Sequence, residues 1–513
     1  MGKLRITMTI LSLIALMTTL TSCGNKEAYG KITLINDKEI TIETGSWEAA
    51  SPAGEDFTPD GGSAAYVLAS YIDISDLNKD TVVKLSLDNN AVTAIETLGD
   101  SNAQAAGSAS GAKIPLSAPF TLDEKKQTSS NHSYTAADSD VSAVLVKNSG
   151  ALTLNGGSLI KTGDTTDDNQ SRSRGLNAVL AVTGGSSARI NGTTLTSGST
   201  GSNAIFATGQ GTKINAVNFK IYTTGDSSGG LVAAEGSSLA AMNGDITTRG
   251  THSAPLSTDG SSGTMKVRNT TFRAEGDASP CIYSAGTIAA DHVTGSSMES
   301  RIAVIRGNNA IALNDCILQG AGKSGILLYQ DTARSVRGEA SFKSKDSTLT
   351  TTSAGPMFHV TNTSASATLE NTSLYYSSNI LANVAGNSAN SWGKPGENGG
   401  NFTLTGINQS LEGSILCDSI SAAVLNLTKK STFTGSFDPE NTARTGAVAL
   451  DNSSFWIVTG NSYVTSIRNK DKACRNIKSN GYTVFYDKDN PANSWLKGAA
   501  KSLPGGGQLK PAS

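Results

Sequence analysis

Residues 223–230, TTGDSSGG, carry the Gly-Asp-Ser spelling of a trypsin-like nucleophile loop. A serine attacks a carbonyl only when a histidine takes its proton and a carboxylate orients that histidine. The four histidines, His132, His252, His292 and His359, lie in no recognisable catalytic motif. The glycine of this stretch also has counterparts at Gly163, Gly198, Gly250 and Gly276, each closing an apolar segment just before another begins. Ser227 and Ser228 are therefore expected at the corner of a repeat, with Gly225 as turn chemistry.

Two further groups have side chains suited to binding. Asp164, Asp167 and Asp168 crowd the stretch GDTTDDNQSRSR. Carboxylate oxygens of this kind suit Ca2+, and Asp226 from a neighbouring repeat could complete the set, although the spacing is not that of an EF-hand. The plainer reading is a solvated acidic loop, and no cofactor is required. The second group lies on two long excursions, QDTARSVRGEA (330–340) and GNSANSWGKPGENGGN (386–401). Tyr329, Arg334, Arg337 and Trp392 would together form a polar-aromatic surface for stacking on sugars or docking a protein. Loops that merely cover a flank are the alternative.

The elements that must position these residues are legible as a repeat. AVLVKNSGALTLNGGSLIKTG, AVLAVTGGSSARINGTTLTSG, AIFATGQGTKINAVNFKIYTTG and LVAAEGSSLAAMNGDITTRG share one grammar: three short apolar segments separated by turns. The register is about 20 to 27 residues, and roughly a dozen copies follow one another. One copy cannot bury enough apolar surface to hold itself in order. Stacking resolves this, since each strand then pairs in parallel with its counterparts and inward residues form ladders. A dozen layers at about 4.8 Å make a rod about 55–60 Å long. The two excursions would emerge from the same corner only two layers apart. Asn155, Asn191, Asn215, Asn243, Asn269, Asn314, Asp346 and Asn371 are expected to stack as a structural ladder.

The fold class is thus all-β, a right-handed parallel β-helix over 114–485. The repeat grammar resembles the β-helix class that holds pectate lyases, polygalacturonases and pertactin-like adhesins. That resemblance implies the fold and leaves the activity open. The Asn-Thr-Asp, Gly-Asp-Asp, Gly-His-Gly and Arg-Ile-Lys blocks of the galacturonan hydrolases are missing. The expected function is non-catalytic binding of an extracellular glycan or a host or cell-surface protein. A polysaccharide lyase or hydrolase acting on pectin-like polymers, and a purely structural envelope rod, are the alternatives.

The N-terminus places Lys3 and Arg5 before an apolar run from Ile6 to Leu20, too short for a membrane span. The sequence LTSC resembles a bacterial lipobox. The resemblance implies a leader over 1–22, acylation of Cys23, and a protein held by membrane lipid on the cell exterior. Residues 23–98 alternate like a small β-barrel or sheet module with a spacer role, 99–113 is a small-residue linker, and 486–513 reads as a cap and tail with Pro491 and Trp495. The tail lacks the pattern of a sortase signal, so anchoring is expected to rest on Cys23. Lys plus Arg (41) nearly balance Asp plus Glu (43), which gives no basic field for nucleic acid. Cys281, Cys316, Cys417 and Cys474 are too widely spaced for a zinc site and are expected as buried thiols.

Overall fold

The computed structural model describes residues 26–35, 39–47, 57–68, 82–88, 91–98, 113–260, 262–331, 338–389 and 392–512. Cys23 and the leader, Arg334 and Arg337, and the linker apart from Lys113 lie outside the described residues. The chain divides into two compact units, Met1–Ala103 and Gln104–Ser513.

In the first unit β1 (Lys26–Ile35), β2 (Glu39–Trp47), β3 (Phe57–Leu68), β4 (Val82–Asp88) and β5 (Ala91–Leu98) close into a barrel in the order β1-β2-β3-β5-β4. The alternation in the sequence sets its two faces. Ile32, Ile40, Ile42, Val83, Leu85 and Val92 are fully buried, and the residues between them reach solvent. β3 and β5 pair in parallel and the other neighbours antiparallel. The closing contact between β3 and β5 is made by the pairs Val67–Ala91 and Leu68–Val92.

The second unit is a parallel β-solenoid of about 16 turns. Most turns give one short strand to each of three sheets, which among the described residues hold 12, 14 and 10 strands; we call them the first, second and third sheets in the order the chain visits them. Inward residues stack in register as the alternation demands. In the third sheet Leu159, Leu195, Ile221, Ile246 and Phe272 form one such ladder, every rung of it buried. The layer above Phe272 carries Gly295, because a Cβ there would run into the ring.

The repeat in the sequence accounts for about a dozen turns, and the chain has more because its later turns depart from the grammar. The third sheet ends at the strand Ser373–Tyr375, and a new four-stranded sheet starts at Ser410–Glu412. At this break the buried Gln409 side chain replaces a backbone pairing: its Oε1 accepts from Thr372 N at 2.7 Å and its Nε2 donates to Thr372 O at 2.5 Å. Farther on a strand shrinks to two residues, Ile477–Lys478, which no apolar pattern could announce.

The expected ladder of amides is split over two columns. Asn243, Asn269, Asp346 and Asn371 occupy the left-handed position just after the second-sheet strands. Asn218 stands there in its own turn, whereas Asn215 is mid-strand, opposite Arg189 and Ala240. Asn155, Asn191 and Asn314 are each the last strand residue, one place earlier. The two columns still bridge layers, Asn243 to Asn218 at 3.2 Å and Asn218 to Asn191 at 3.1 Å. Asparagine and aspartate recur because they tolerate positive φ at low cost.

After the strand Ser466–Asn469 the 3-10 helix Pro491–Leu496 crosses the open end of the second sheet. Ile467 N donates to Asn493 Oδ1 at 2.8 Å, Asn493 Nδ2 donates to Thr465 O at 2.9 Å, and Trp495 Nε1 donates to Ile467 O at 3.0 Å. Two side chains thus satisfy groups that a further strand would have paired. The four described cysteines are buried and free, and burial raises each thiol, Cys417 to about 12.

Candidate functional site: an aromatic and arginine cluster on the first sheet

The corner that spells TTGDSSGG is closed to substrate. Ser228 is fully buried, its hydroxyl 2.6 Å from the carbonyl oxygen of Ser199, and it accepts from Ser202 N at 2.8 Å. Its own N–H donates to Ser253 Oγ at 2.9 Å, and Ser253 N donates to Ser279 Oγ at 2.8 Å. The serines form a ladder through successive corners. Ser227 has a φ of 51° and donates to Asp168 Oδ2 at 3.2 Å. Replacing Ser228 by alanine would leave the Ser202 N–H unpaired in the interior. The expected loss is about 1–3 kcal/mol of stability in denaturant unfolding.

Gly225 is there for a different reason than turn chemistry. Its φ is ordinary, but a Cβ would strike the Ser199 carbonyl of the layer beneath, just as Gly250 sits on Gly225 and Gly276 on Gly250. The pairing of Ser197 with Thr223 puts Ser199, and not Gly198, at the equivalent corner.

The acidic stretch is not an extended loop. Asp167 caps the helix Asp168–Arg174: its Oδ1 accepts from Gln170 N at 3.0 Å and its Oδ2 from Gln170 Nε2 at 2.7 Å. These acceptor bonds hold the Asp167 carboxyl below the usual range. Asp168 pairs with Arg172 at 3.4 Å. Asp164 Oδ1 accepts from Thr200 N and Asp226 Oδ1 from Thr251 N, each at 2.8 Å. The register therefore puts Asp164, Asp226 and Asp277 on one edge but two layers apart, with Thr200 and Thr251 between them. Among the described residues no group of three or more His, Cys, Asp or Glu is placed to hold a metal ion. On the outward face of the first sheet Leu145, Ala181, Phe206 and Val232 form a small buried cluster, with Leu116 and Ala118 packed against it.

The strand end from which the first excursion leaves meets the second excursion. Both leave between the first and second strands of their turns, after Ile326–Tyr329 and after Ile380–Val384. Tyr329 and Trp392 stand with ring centroids 4.5 Å apart at 35°. The turn between them explains how. Tyr329 pairs with Thr361 in the next layer, and Asn387 Nδ2 donates to Thr361 Oγ1 at 2.6 Å. The Trp392 carbonyl in turn accepts from Asn387 Nδ2 at 3.1 Å and from the buried Asn398 Nδ2 at 3.2 Å. Gly393 follows with a φ of 83°, where a Cβ would collide with the Asn362 side chain. Trp392 is thus held by an amide clamp and does not hang on a free loop.

Three residues that the sequence reading missed complete the cluster. Arg306 is the register partner of Tyr329 one layer down, and it forms an ion pair with Asp331, whose carboxylate is 17% exposed. Burial disfavours the Arg306 charge, but Tyr283, Asp331 and Tyr329 outweigh it and hold the guanidinium charged. Burial, with Tyr283 beside it, raises the Tyr329 phenol well above its usual range, so it stays neutral. Tyr283, Arg306 and Tyr329 come from three consecutive turns: Arg306 and Tyr329 share a register column, and the Tyr283 side chain, whose strand position is opposite Val304, reaches them diagonally. Aligning the strand ends AVIR and ILLY would have found Arg306. The result is a half-buried surface of two tyrosines, a tryptophan and an Arg–Asp pair.

Comparison with family models, with curated proteins and with solved structures found no match. The functional reading rests on the residues of the site.

Proposed function

We propose that this chain is a non-catalytic binding protein, displayed on the cell exterior by an acylated Cys23, whose solenoid presents the Tyr283–Arg306–Tyr329–Asp331–Trp392 surface to an extracellular glycan or a cell-surface protein. The observation that carries the reading is the Trp392 ring against Tyr329, 4.5 Å between centroids, on a backbone whose carbonyl takes two amide hydrogen bonds. A rigid aromatic pair beside a charged guanidinium suits sugar stacking or a protein hot spot, because little side-chain entropy remains to be lost. The carboxylate in this group, Asp331, is already paired with Arg306. Retaining and inverting glycosidases both need two carboxylates at a defined separation across the bond to be cut, and the described residues of this group do not supply that pair, which speaks for binding over hydrolysis.

The test is a glycan array followed by titration of the best ligand. The Trp392→Ala variant should weaken binding by about 2 kcal/mol or more, roughly thirtyfold in Kd, with the solenoid's thermal transition unchanged. Binding that is indifferent to Trp392 would remove the site from the reading.

A further inference from the structure

The near-zero net charge of the whole chain hides a separation of charge. Residues 466–513 carry nine Lys and Arg against three Asp and Glu, a net of +6 in a chain whose total is −2. The balanced composition read from the sequence therefore does not hold at this end of the solenoid. Among the described residues the ion pairs in this stretch are Arg475–Asp471 and Lys488–Asp489, which leaves most of the excess unpaired.

The geometry of the unpaired ammonium groups is unusual. Lys472 and Lys501 lie over the Trp495 ring, 4.4 and 5.6 Å from its centroid. Lys478 lies over Phe455 at 5.6 Å, and Lys510 over Phe485 at 5.1 Å. Phe485 is itself stacked on Tyr463, with centroids 4.6 Å apart and planes 7° apart. Cation–π contact holds each lysine near one place on the surface. An anion meeting such an array has less side-chain entropy to freeze than one meeting free lysines.

We propose that the C-terminal end of the solenoid is a docking surface for an acidic polysaccharide, distinct from the first-sheet cluster. Three features choose this partner. The braced lysines belong to different faces: Lys478 and Phe455 lie on the four-stranded sheet that succeeds the third, Lys510 and Phe485 on the sheet of the closing turns, and Trp495 on the helix that covers the second. A flexible chain can wrap such a collar, while a flat bilayer touches one face at a time. The rings carry ammonium groups on their faces, so they do not offer the open platforms on which unpaired bases stack. Lysine, a compact point charge, suits negative charge spread along a polymer better than it suits two-point recognition of one planar group.

The experiment uses the full chain with alginate, a polyuronate, and neutral dextran. Alginate should bind and dextran should not, and affinity should fall at least about tenfold between about 50 and 200 mM salt, as ion release requires. The triple variant Lys472→Gln, Lys478→Gln, Lys510→Gln should lose at least about tenfold in affinity, with an unaltered circular dichroism melt showing that the fold is kept. Trp392→Ala should bind alginate as the parent does, which separates this surface from the first-sheet site. The proposal is overturned if alginate does not bind, or if its binding ignores salt or the triple change. It is equally overturned if the three lysines contribute more to retention on phosphatidylglycerol vesicles or on a single-stranded oligonucleotide than on alginate.

Discussion

Phe358→Ala is expected to cost about 3–5 kcal/mol, the largest loss foreseen for a single change in this chain. Phe358 is fully buried, with Phe342 at 6.0 Å and Phe402 at 5.7 Å between ring centroids. It lies over Ile326 and under Ala382 in the first sheet. In its own turn the second sheet turns Ala365, Ala367 and Leu369 inward, and the ring fills space that the two alanines leave open. In a solenoid each turn touches only its neighbours, so the damage should stay local. Amide exchange should quicken in the turns from about 326 to 407 and remain slow toward the amino-terminal turns. Ligand binding at Trp392 should weaken too, because Thr361, three residues along the same strand, holds Asn387. Phe358→Leu should cost clearly less. Uniform acceleration of exchange along all turns would contradict this picture.

The second large effect concerns pH. Lys161 has no exposed surface and donates to Asp138 O at 2.9 Å and to Gly163 O. It occupies a column that holds Ala136 in the previous turn and Ser197, Thr223 and Thr248 in the turns that follow. Burial lowers its ammonium from 10.5 to about 8, against the opposing pull of Asp164, Asp138 and Asp140. Below pH 8 the lysine is charged in both states and the folded protein bears the whole cost of burying it. Between about 8 and 10.5 the unfolded chain binds more protons than the folded one, so stability must rise with pH across that window. A shift of this size corresponds to about 3 kcal/mol. Lys161→Met keeps the volume and removes the titration; Gly163 O retains a donor in Asn177 Nδ2 at 2.9 Å. Urea unfolding at a series of pH values should show the wild type gaining on the methionine variant from pH 8 to 10. Parallel curves would refute the assignment.

The contrast between what could and could not be read from the residues follows from the layer register. A corner glycine and an apolar triplet recur within each turn, so the solenoid and the meeting of Tyr329 with Trp392 follow from counting layers. Arg306 is visible only when strand ends are aligned residue by residue, and Tyr283 and Asp331 only from the side-chain contacts, since each is an ordinary polar residue in its own turn. A slip of one position was enough to choose Gly198 over Ser199, and one of three positions put Asn215, in mid-strand, in place of Asn218. The helix Asp168–Arg174 was hidden by its polar composition: it is held by the Asp167 cap, the Gly175 stop and a hydrogen bond from Ile114 N to Gln170 Oε1 at 3.0 Å, and no apolar stripe announces it. The cationic end was lost by averaging charge over 513 residues.

The most direct test of a binding role is to incubate the best glycan ligand with the protein and follow its chain length by mass spectrometry, with Trp392→Ala alongside. A binding protein predicts ligand retained by the wild type, released by the variant, and unchanged in length in both. New reducing ends or unsaturated ends that appear with the wild type would contradict it and make the first-sheet cluster an active site.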